Sequence, residues 1–370
     1  MSAPEPILPA YGDASIRGIV PAIFAPRGTR SLPSWFPALA TGARQVVLLV
    51  LDGLGWEQLQ QRAHIAPTLA GMQGGPITSV APTTTATALT SITTGLTPGE
   101  HGVVGYRMEV RGDIMNMLRW TTKSGDARRV HLPVEIQPFP TFLGEDVVIS
   151  NKIEFDTTGF TQAHLRGTRQ VTWRLPSNIV VDTRSLLAKG ERFVYLYYDG
   201  IDKVAHEKGL DEYYDAELRT VDRLVADLID VLPNDAVLLI TADHGQVSIG
   251  DNLVKPAPEV LAATRIQSGE GRFRWFHAKP GAATDLLDAA CGAHGDQAWV
   301  VSKEQAIADG WFGPVVAPPV AVRYGDVAVV PFEAVSMDDP ADSGPFPLVC
   351  RHGSLTSAEM LVPFLAARRT

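Results

Sequence analysis

The chain of 370 residues carries only two cysteines, Cys291 and Cys350. They make neither a disulfide framework nor a paired-cysteine metal motif. Positive charge is also short: 32 Lys and Arg against 41 Asp and Glu leave a net charge of −9. That balance argues against a nucleic acid polymer as partner, since such binders work by neutralising many phosphates. A small anion is still compatible with it, provided metal ions supply positive charge locally. Long apolar runs are missing as well. The longest aliphatic stretch, Val46–Leu51, has six residues, against the roughly 20 needed to cross a bilayer. The start, Met1-Ser-Ala-Pro-Glu-Pro6, shows no basic region followed by an apolar segment. No secretory signal is read there, so the expected setting is cytoplasmic and reducing, with no membrane partner.

What is present is enough apolar content, 45% of residues, to build a large core over this length. Val46–Leu51, Phe193–Tyr198 and Ala236–Thr241 are continuous apolar runs rather than alternating ones, which is the pattern of strands buried on both faces. Tyr213–Leu232 carries Leu218, Val221, Leu224, Val225, Leu228 and Leu232 on one helical face. Thr85–Thr94 reads as a helix despite its threonines, because Pro82 precedes it and Gly95 follows. The expectation is an α/β chain, with a mostly parallel sheet flanked by helices, in one catalytic domain over 1–370. Residues 1–44, rich in Pro, Gly and Ala, should wrap the core's edge, and residues 105–175 should form loops over the site. Residues 250–345 hold short strand-like pieces such as Arg272–Phe276 and Val327–Val330 and are expected to form an inserted cap. Thr356-Ser-Ala-Glu359 is a capping box that should open a last helix.

Acids and histidines stand where such a sheet would gather them. Asp52 ends Val46–Leu51, Asp202 lies in the turn after Phe193–Tyr198, and Asp243 follows Ala236–Thr241. Parallel sheets present functional groups beyond their strands' carboxyl ends. Asp202 and His206 are one helical turn apart. Asp243-His244-Gly245 and His352-Gly353 each place a histidine before a glycine that permits a tight turn. Three carboxylates and three imidazoles with no thiolate suit two divalent ions such as Mn²⁺ or Zn²⁺ better than Ca²⁺. Two ions roughly 4 Å apart can clamp the attacking and leaving oxygens of an in-line displacement at phosphorus. A hydroxyl nucleophile is the missing part. Thr83, Thr84, Thr85 and Thr87 compete on composition, with a plain helix N-cap as the alternative role for any of them.

At these positions the chain resembles the alkaline phosphatase superfamily, in particular its nucleotide pyrophosphatase/phosphodiesterase branch. The branch's nucleophilic threonine sits nine residues before the threonine of a Thr-Gly pair, here Thr94-Gly95, and that spacing selects Thr85. The order Asp52, Thr85, Asp202/His206, Asp243/His244, His352 matches the branch throughout. The resemblance implies an alkaline-phosphatase-like core and a two-metal phosphodiesterase with a covalent nucleotidyl-threonine intermediate. It allots Asp52, Thr85, Asp243 and His244 to the ion that activates the nucleophile. Asp202, His206 and His352 fall to the ion that activates the water. The chain also looks like the actinobacterial cyclic-di-AMP phosphodiesterases in Asp52–Glu57, Gly99–Tyr106, Met115–Trp120, Ala306–Pro314 and His352–Thr356. A small nucleotide, in particular a cyclic dinucleotide, is therefore the expected partner of a monomer or homodimer.

One segment departs from the pattern. Many nucleotide pyrophosphatases carry a phosphoryl-contacting asparagine in a His-Gly-x-x-x-Asn segment, whereas here it is His101-Gly-Val-Val-Gly-Tyr106. The Tyr106 hydroxyl, backbone N–H groups at the helix start, Asn116 or Arg119 are the candidate replacements, Arg119 as a phosphate fork. Tyr106 and Trp120 are candidates for stacking on a base, as more weakly is Arg272–Phe276. Alternative activities within the superfamily are phosphomonoester and phosphonate hydrolysis; outside catalysis, the alternative is a silent nucleotide sensor. A sulfatase is disfavoured because neither cysteine begins a Cys-x-Pro-x-Arg pattern.

Overall fold

The computed structural model describes residues 3–25, 32–342 and 347–369. Parts of the expected N-terminal wrap (1–2 and 26–31) and the end of the expected cap (343–345) lie outside them. Seven strands form the central sheet. Their order is Gln73–Thr78, Leu361–Ala367, Ala236–Thr241, Gln45–Leu51, Phe193–Tyr198, Val148–Lys152 and Arg169–Trp173. Gln45–Leu51 pairs in parallel with both neighbours, and only Leu361–Ala367 runs against the rest. The three continuous apolar runs occupy the middle and are buried on both faces, Phe193–Tyr198 and Ala236–Thr241 along their whole length. Each buried Val, Leu or Ile there contributes about 1.5–3 kcal/mol relative to exposure.

Helices cover the sheet. Thr85–Thr94 is buried at all ten residues. Its threonines tolerate this because Thr90, Thr93 and Thr94 return their hydroxyls to the carbonyls of Ala86, Leu89 and Thr90, satisfying groups that would otherwise be costly to bury. Gly95, in the left-handed region at φ 72°, ends the helix. The amphipathic helix Glu212–Asp230 begins at Asp211, whose carboxylate accepts the Tyr213 N–H.

Two expectations are corrected. Residues 105–175 are not only loops: Val148–Lys152 and Arg169–Trp173 extend the central sheet, and Arg107–Val110 and Asp113–Asn116 open a small antiparallel sheet. Nor does Thr356 open a long last helix. The Thr356 hydroxyl does meet the Glu359 carboxylate at 2.6 Å, but the helix is the single turn Ser357–Met360 and the chain then becomes the strand Leu361–Ala367. Pro363 forbids helical continuation, and the open place between Gln73–Thr78 and Ala236–Thr241 takes the segment instead.

Residues 264–331 contain a second antiparallel sheet, ordered Thr264–Glu270, Phe273–Ala278, Val327–Pro331 and Ala298–Ser302. Its strands alternate between two cores. Phe273, Trp275, Ala328 and Val330 join the main apolar core, while Phe276, Val327 and Val329 close a small one with Val260, Leu286 and Met337.

Candidate metal centre and active site

The carboxyl ends of the three central strands converge. Asp52 and Asp243 follow two of them directly, and Asp202 stands in the first turn of the helix Gly200–Lys208 rather than in the preceding turn. Thr85 is the first residue of the helix Thr85–Thr94. The backbones around these residues touch. A side chain at Gly245 would lie 2.0 Å from the Ala358 carbonyl oxygen, and Gly53, at φ +74°, is packed against Asp202 and Gln246. Only glycine permits either approach.

The structure brings together all seven residues of the expected centre. His244 Nε2 lies 3.2 Å from the Thr85 hydroxyl, 3.3 Å from Asp52 Oδ1 and 3.5 Å from Asp243 Oδ2. His206 Nε2 is 3.2 Å and His352 Nε2 3.9 Å from Asp202 Oδ1. Asp52, Asp243 and His244 form one compact donor group; Asp202 and His352 form another in which His244 again participates. His244 thus sits at the junction, its ring stacked on His352 at 3.5 Å.

Hydrogen bonds outside the donor group orient its histidines and carboxylates. The Nδ1 atoms of His206, His352 and His244 face the carbonyls of Cys350, Thr83 and Gly245 at 2.7, 2.8 and 3.0 Å, so each turns Nε2 to the centre. Asp52 Oδ2 accepts the Tyr197 hydroxyl, and Asp243 Oδ1 accepts the N–H groups of Gly53 and His244. The other oxygens, Asp52 Oδ1 and Asp243 Oδ2, are buried and have no hydrogen-bond donor among the described residues. One oxygen of each carboxylate is held while the other is left for a cation, which is how these residues fit divalent ions.

The protonation balance points the same way. Burial, with Asp52 nearby, pushes the Asp243 carboxyl well above the usual range. Burial disfavours the His244 cation, but the Asp243 and Asp52 carboxylates outweigh it and raise its pKa to about 10. Burial, then the neighbouring His244 and His206, hold His352 well below its ordinary value. Without a cation, the cluster retains protons to offset carboxylates crowded in a dry site.

Sequence reasoning missed Tyr197 and Gln246. The Gln246 amide donates to Asp202 Oδ1 at 2.5 Å. Its place two residues past His244 was the available signal, but a glutamine there has no local pattern. Gln246→Ala is expected to weaken divalent-ion affinity by about 10- to 100-fold. Competition against a fluorescent chelator reads this, and unchanged affinity would remove Gln246 from the support of the centre.

Above the donors opens a cavity of about 770 Å³, with Thr84, Thr85, Asp202, His206 and His352 in its floor. Tyr106, Asn116 and Arg119 line its wall, beside apolar Ile114, Leu118 and Ile266. Trp120 is not among them. It is fully buried, its indole N–H given to the His131 carbonyl at 2.7 Å, and its ring packs where any side chain at Gly159 would collide. It is part of the main apolar core, so the expected base-stacking role is withdrawn. Arg272–Phe276 is likewise buried throughout, its guanidiniums spent on carboxylates.

The family model for type I phosphodiesterase/nucleotide pyrophosphatase matches residues 46–331. The chain belongs to this family. It is accordingly a metal-dependent phosphoric diester hydrolase. No curated protein sequence matches the chain. Among solved structures, murine ectonucleotide pyrophosphatase/phosphodiesterase 5 is similar with a TM-score of 0.67 at 18% identity, over 88% of this chain and 89% of that one. The human counterpart gives 0.66 at 16%, over 88% of each chain. Phosphonoacetate hydrolase from Sinorhizobium meliloti, in complex with phosphonoacetate, gives 0.65 at 16%, over 88% of this chain and 91% of that one. At these identities the likeness is one of fold, and it establishes the alkaline-phosphatase-like architecture of this family member. No helix among the described residues is long and apolar enough to cross a membrane.

Proposed function

We propose that this type I phosphodiesterase hydrolyses a cyclic dinucleotide, cyclic di-AMP, to the linear dinucleotide and then to AMP. The observation that carries the reading is the cavity over Thr85. Its volume of about 770 Å³ lies in the upper part of the roughly 300–1,000 Å³ range of small-molecule sites, and its wall alternates hydrogen-bonding and apolar side chains. The segments resembling actinobacterial cyclic-di-AMP phosphodiesterases, Gly99–Tyr106 and Met115–Trp120, supply four of those wall residues: Tyr106, Asn116, Leu118 and Arg119. An inactive threonine-to-alanine variant of the murine neighbour is in complex with AMP, which supports a nucleotide at a site of this fold. In this reading the segment 250–345 caps the site, and the protein works in the cytoplasm as a monomer or homodimer.

Asp52, Thr85, Asp243 and His244 would hold one divalent ion, and Asp202, His206 and His352 the other, Mn²⁺ or Zn²⁺. When bound, such ions supply Lewis-acid charge and lower the pKa of coordinated oxygens. The Thr85 oxygen attacks phosphorus in line. A bond forms between Thr85 Oγ1 and phosphorus, the bond to the first nucleoside's oxygen breaks, and that alcohol departs with a proton. Water then cleaves the nucleotidyl-threonine and restores the hydroxyl. The N-terminus of the helix Thr85–Thr94 directs its free N–H groups at the phosphoryl oxygens, and with Tyr106 and Asn116 it fills the place of the missing asparagine.

The likeness to a phosphonate hydrolase makes phosphonate cleavage the second reading. A metal-supplemented panel of cyclic dinucleotides, linear dinucleotides, bis(p-nitrophenyl) phosphate, p-nitrophenyl phosphate and phosphonoacetate separates them. Cyclic and linear dinucleotides are expected to be cleaved fastest. A strong preference for the monoester or the phosphonate would sink the diester proposal, and cleavage of other diesters alone would sink the cyclic one.

A further inference from the structure

Arg107, Asp339 and Asp342 line the cavity, and with Arg274 they make a cluster of four charges that cancel. Arg107 meets Asp339 at 2.6 Å and Asp342 at 2.5 Å. Arg274 reaches Asp339 at 3.3 Å and is also paired with Asp342. Two guanidiniums are thereby balanced by two carboxylates. Arg351 stands beside them and is left over. It lines the cavity, its Nε is buried without an acceptor, and its guanidinium makes neither a hydrogen bond nor an ion pair among the described residues.

Arg351 is half-buried, and because a guanidinium keeps its charge at any ordinary pH, burying its Nε without an acceptor is unfavourable. Two features hold it there nonetheless. The short strand Cys350–Arg351 pairs with Val247–Ser248, which anchors the backbone one residue before His352. Across from it, Gly271 presents no side chain; a Cβ there would lie 3.1 Å from Arg351 Nη1. The guanidinium, packed on Gly271, therefore borders the cavity, one residue from His352 along the chain. The other cavity-lining cations without a partner, Arg119 and Lys123, are exposed. Arg351 is the one that a ligand anion would relieve.

We infer that Arg351 anchors a second phosphate of the substrate, apart from the phosphate attacked by Thr85. The inference rests on the diesterase reading and narrows it: the preferred substrate carries two phosphates, as a cyclic dinucleotide or a 5′-phosphorylated linear dinucleotide does. A bidentate guanidinium–phosphate pair is both charge-assisted and directional, worth roughly 10- to 100-fold in affinity.

The test compares a linear dinucleotide with the same dinucleotide bearing a 5′-terminal phosphate. Binding is read by calorimetry on Mn²⁺-loaded Thr85→Ala protein, so that neither ligand is consumed. With Arg351 present, the phosphorylated form should bind about 10- to 100-fold more tightly. Arg351→Gln should bring the two ligands within about twofold, and Arg351→Lys, keeping the charge but losing the fork, should fall between. Equal affinities with Arg351 intact, or a preference that survives Arg351→Gln, would overturn the assignment. The first comparison needs no variant at Arg351, so a folding defect cannot hide the answer. Failure of the underlying diesterase reading is seen separately, as no turnover of bis(p-nitrophenyl) phosphate, which has no second phosphate, by the wild-type protein.

Discussion

Thr85→Ala is expected to lower turnover of any diester by about 10³-fold or more while leaving both ions bound. The hydroxyl is 3.2 Å from His244 Nε2 and stands at the first position of a buried helix, so alanine removes only the hydroxyl and one methyl group and keeps a good helix former there. Neighbouring threonines cannot substitute. The Thr83 hydroxyl is committed to the Ser354 carbonyl, and Thr87 is fully buried away from the cavity lining. Thr84 reaches the cavity but lies outside the helix as its N-cap. The check is a steady-state rate together with metal content by mass spectrometry. Near wild-type turnover with two ions retained would rule out a covalent threonine mechanism.

Glu359→Ala should cost about 3–5 kcal/mol of stability. Arg272 and Glu359 form a two-fold contact, 2.7 Å from Nε to Oε1 and 2.8 Å from Nη2 to Oε2, and both are fully buried. Removing the acid strands a guanidinium in the core, where the carbonyls of Glu333, Val335 and Pro331 cannot neutralise its charge. The same carboxylate accepts the Ser354 N–H at 3.0 Å, two residues past His352. Loosening it should therefore weaken metal binding as well. Urea unfolding measures the first effect, and replacing both residues by apolar ones should recover much of the loss, since the penalty comes from the unpaired charge. A Glu359→Ala protein as stable as the wild type would show that this pair does not tie the turn between Thr264–Glu270 and Phe273–Ala278 to the helical turn Ser357–Met360.

The central sheet was legible because its middle strands are buried on both faces and so appear as unbroken apolar runs. Asp52 and Asp243 were legible for a related reason: an acid and a glycine at the end of such a run have few structural uses. The edges were not. Val148–Lys152 contains Ser150, Asn151 and Lys152, and Arg169–Trp173 starts with two exposed polar residues and is buried only at Trp173, so neither carries the signal of a buried strand. Trp120 misled because an aromatic between polar residues looks available for stacking. Its burial depends on Gly159, nearly 40 residues away, whose missing side chain leaves the space. Arg351 did not stand out in the sequence, because its distinction is the lack of a hydrogen-bond partner among the described residues, which only the folded chain reveals.

By itself the sequence determined the donor types, their order along the chain and the elements that end in them. Those follow from local chemistry: apolar runs, strand-end acids and glycine turns. The tertiary structure decided which atom each donor presents. His206 offers Nε2 because Cys350 holds Nδ1, His352 because Thr83 does, and Asp52 keeps one oxygen free because Tyr197 takes the other. These partners lie more than 100 residues from the groups they orient, and hydrogen bonds between such distant segments exist only once the sheet has brought the strand ends together.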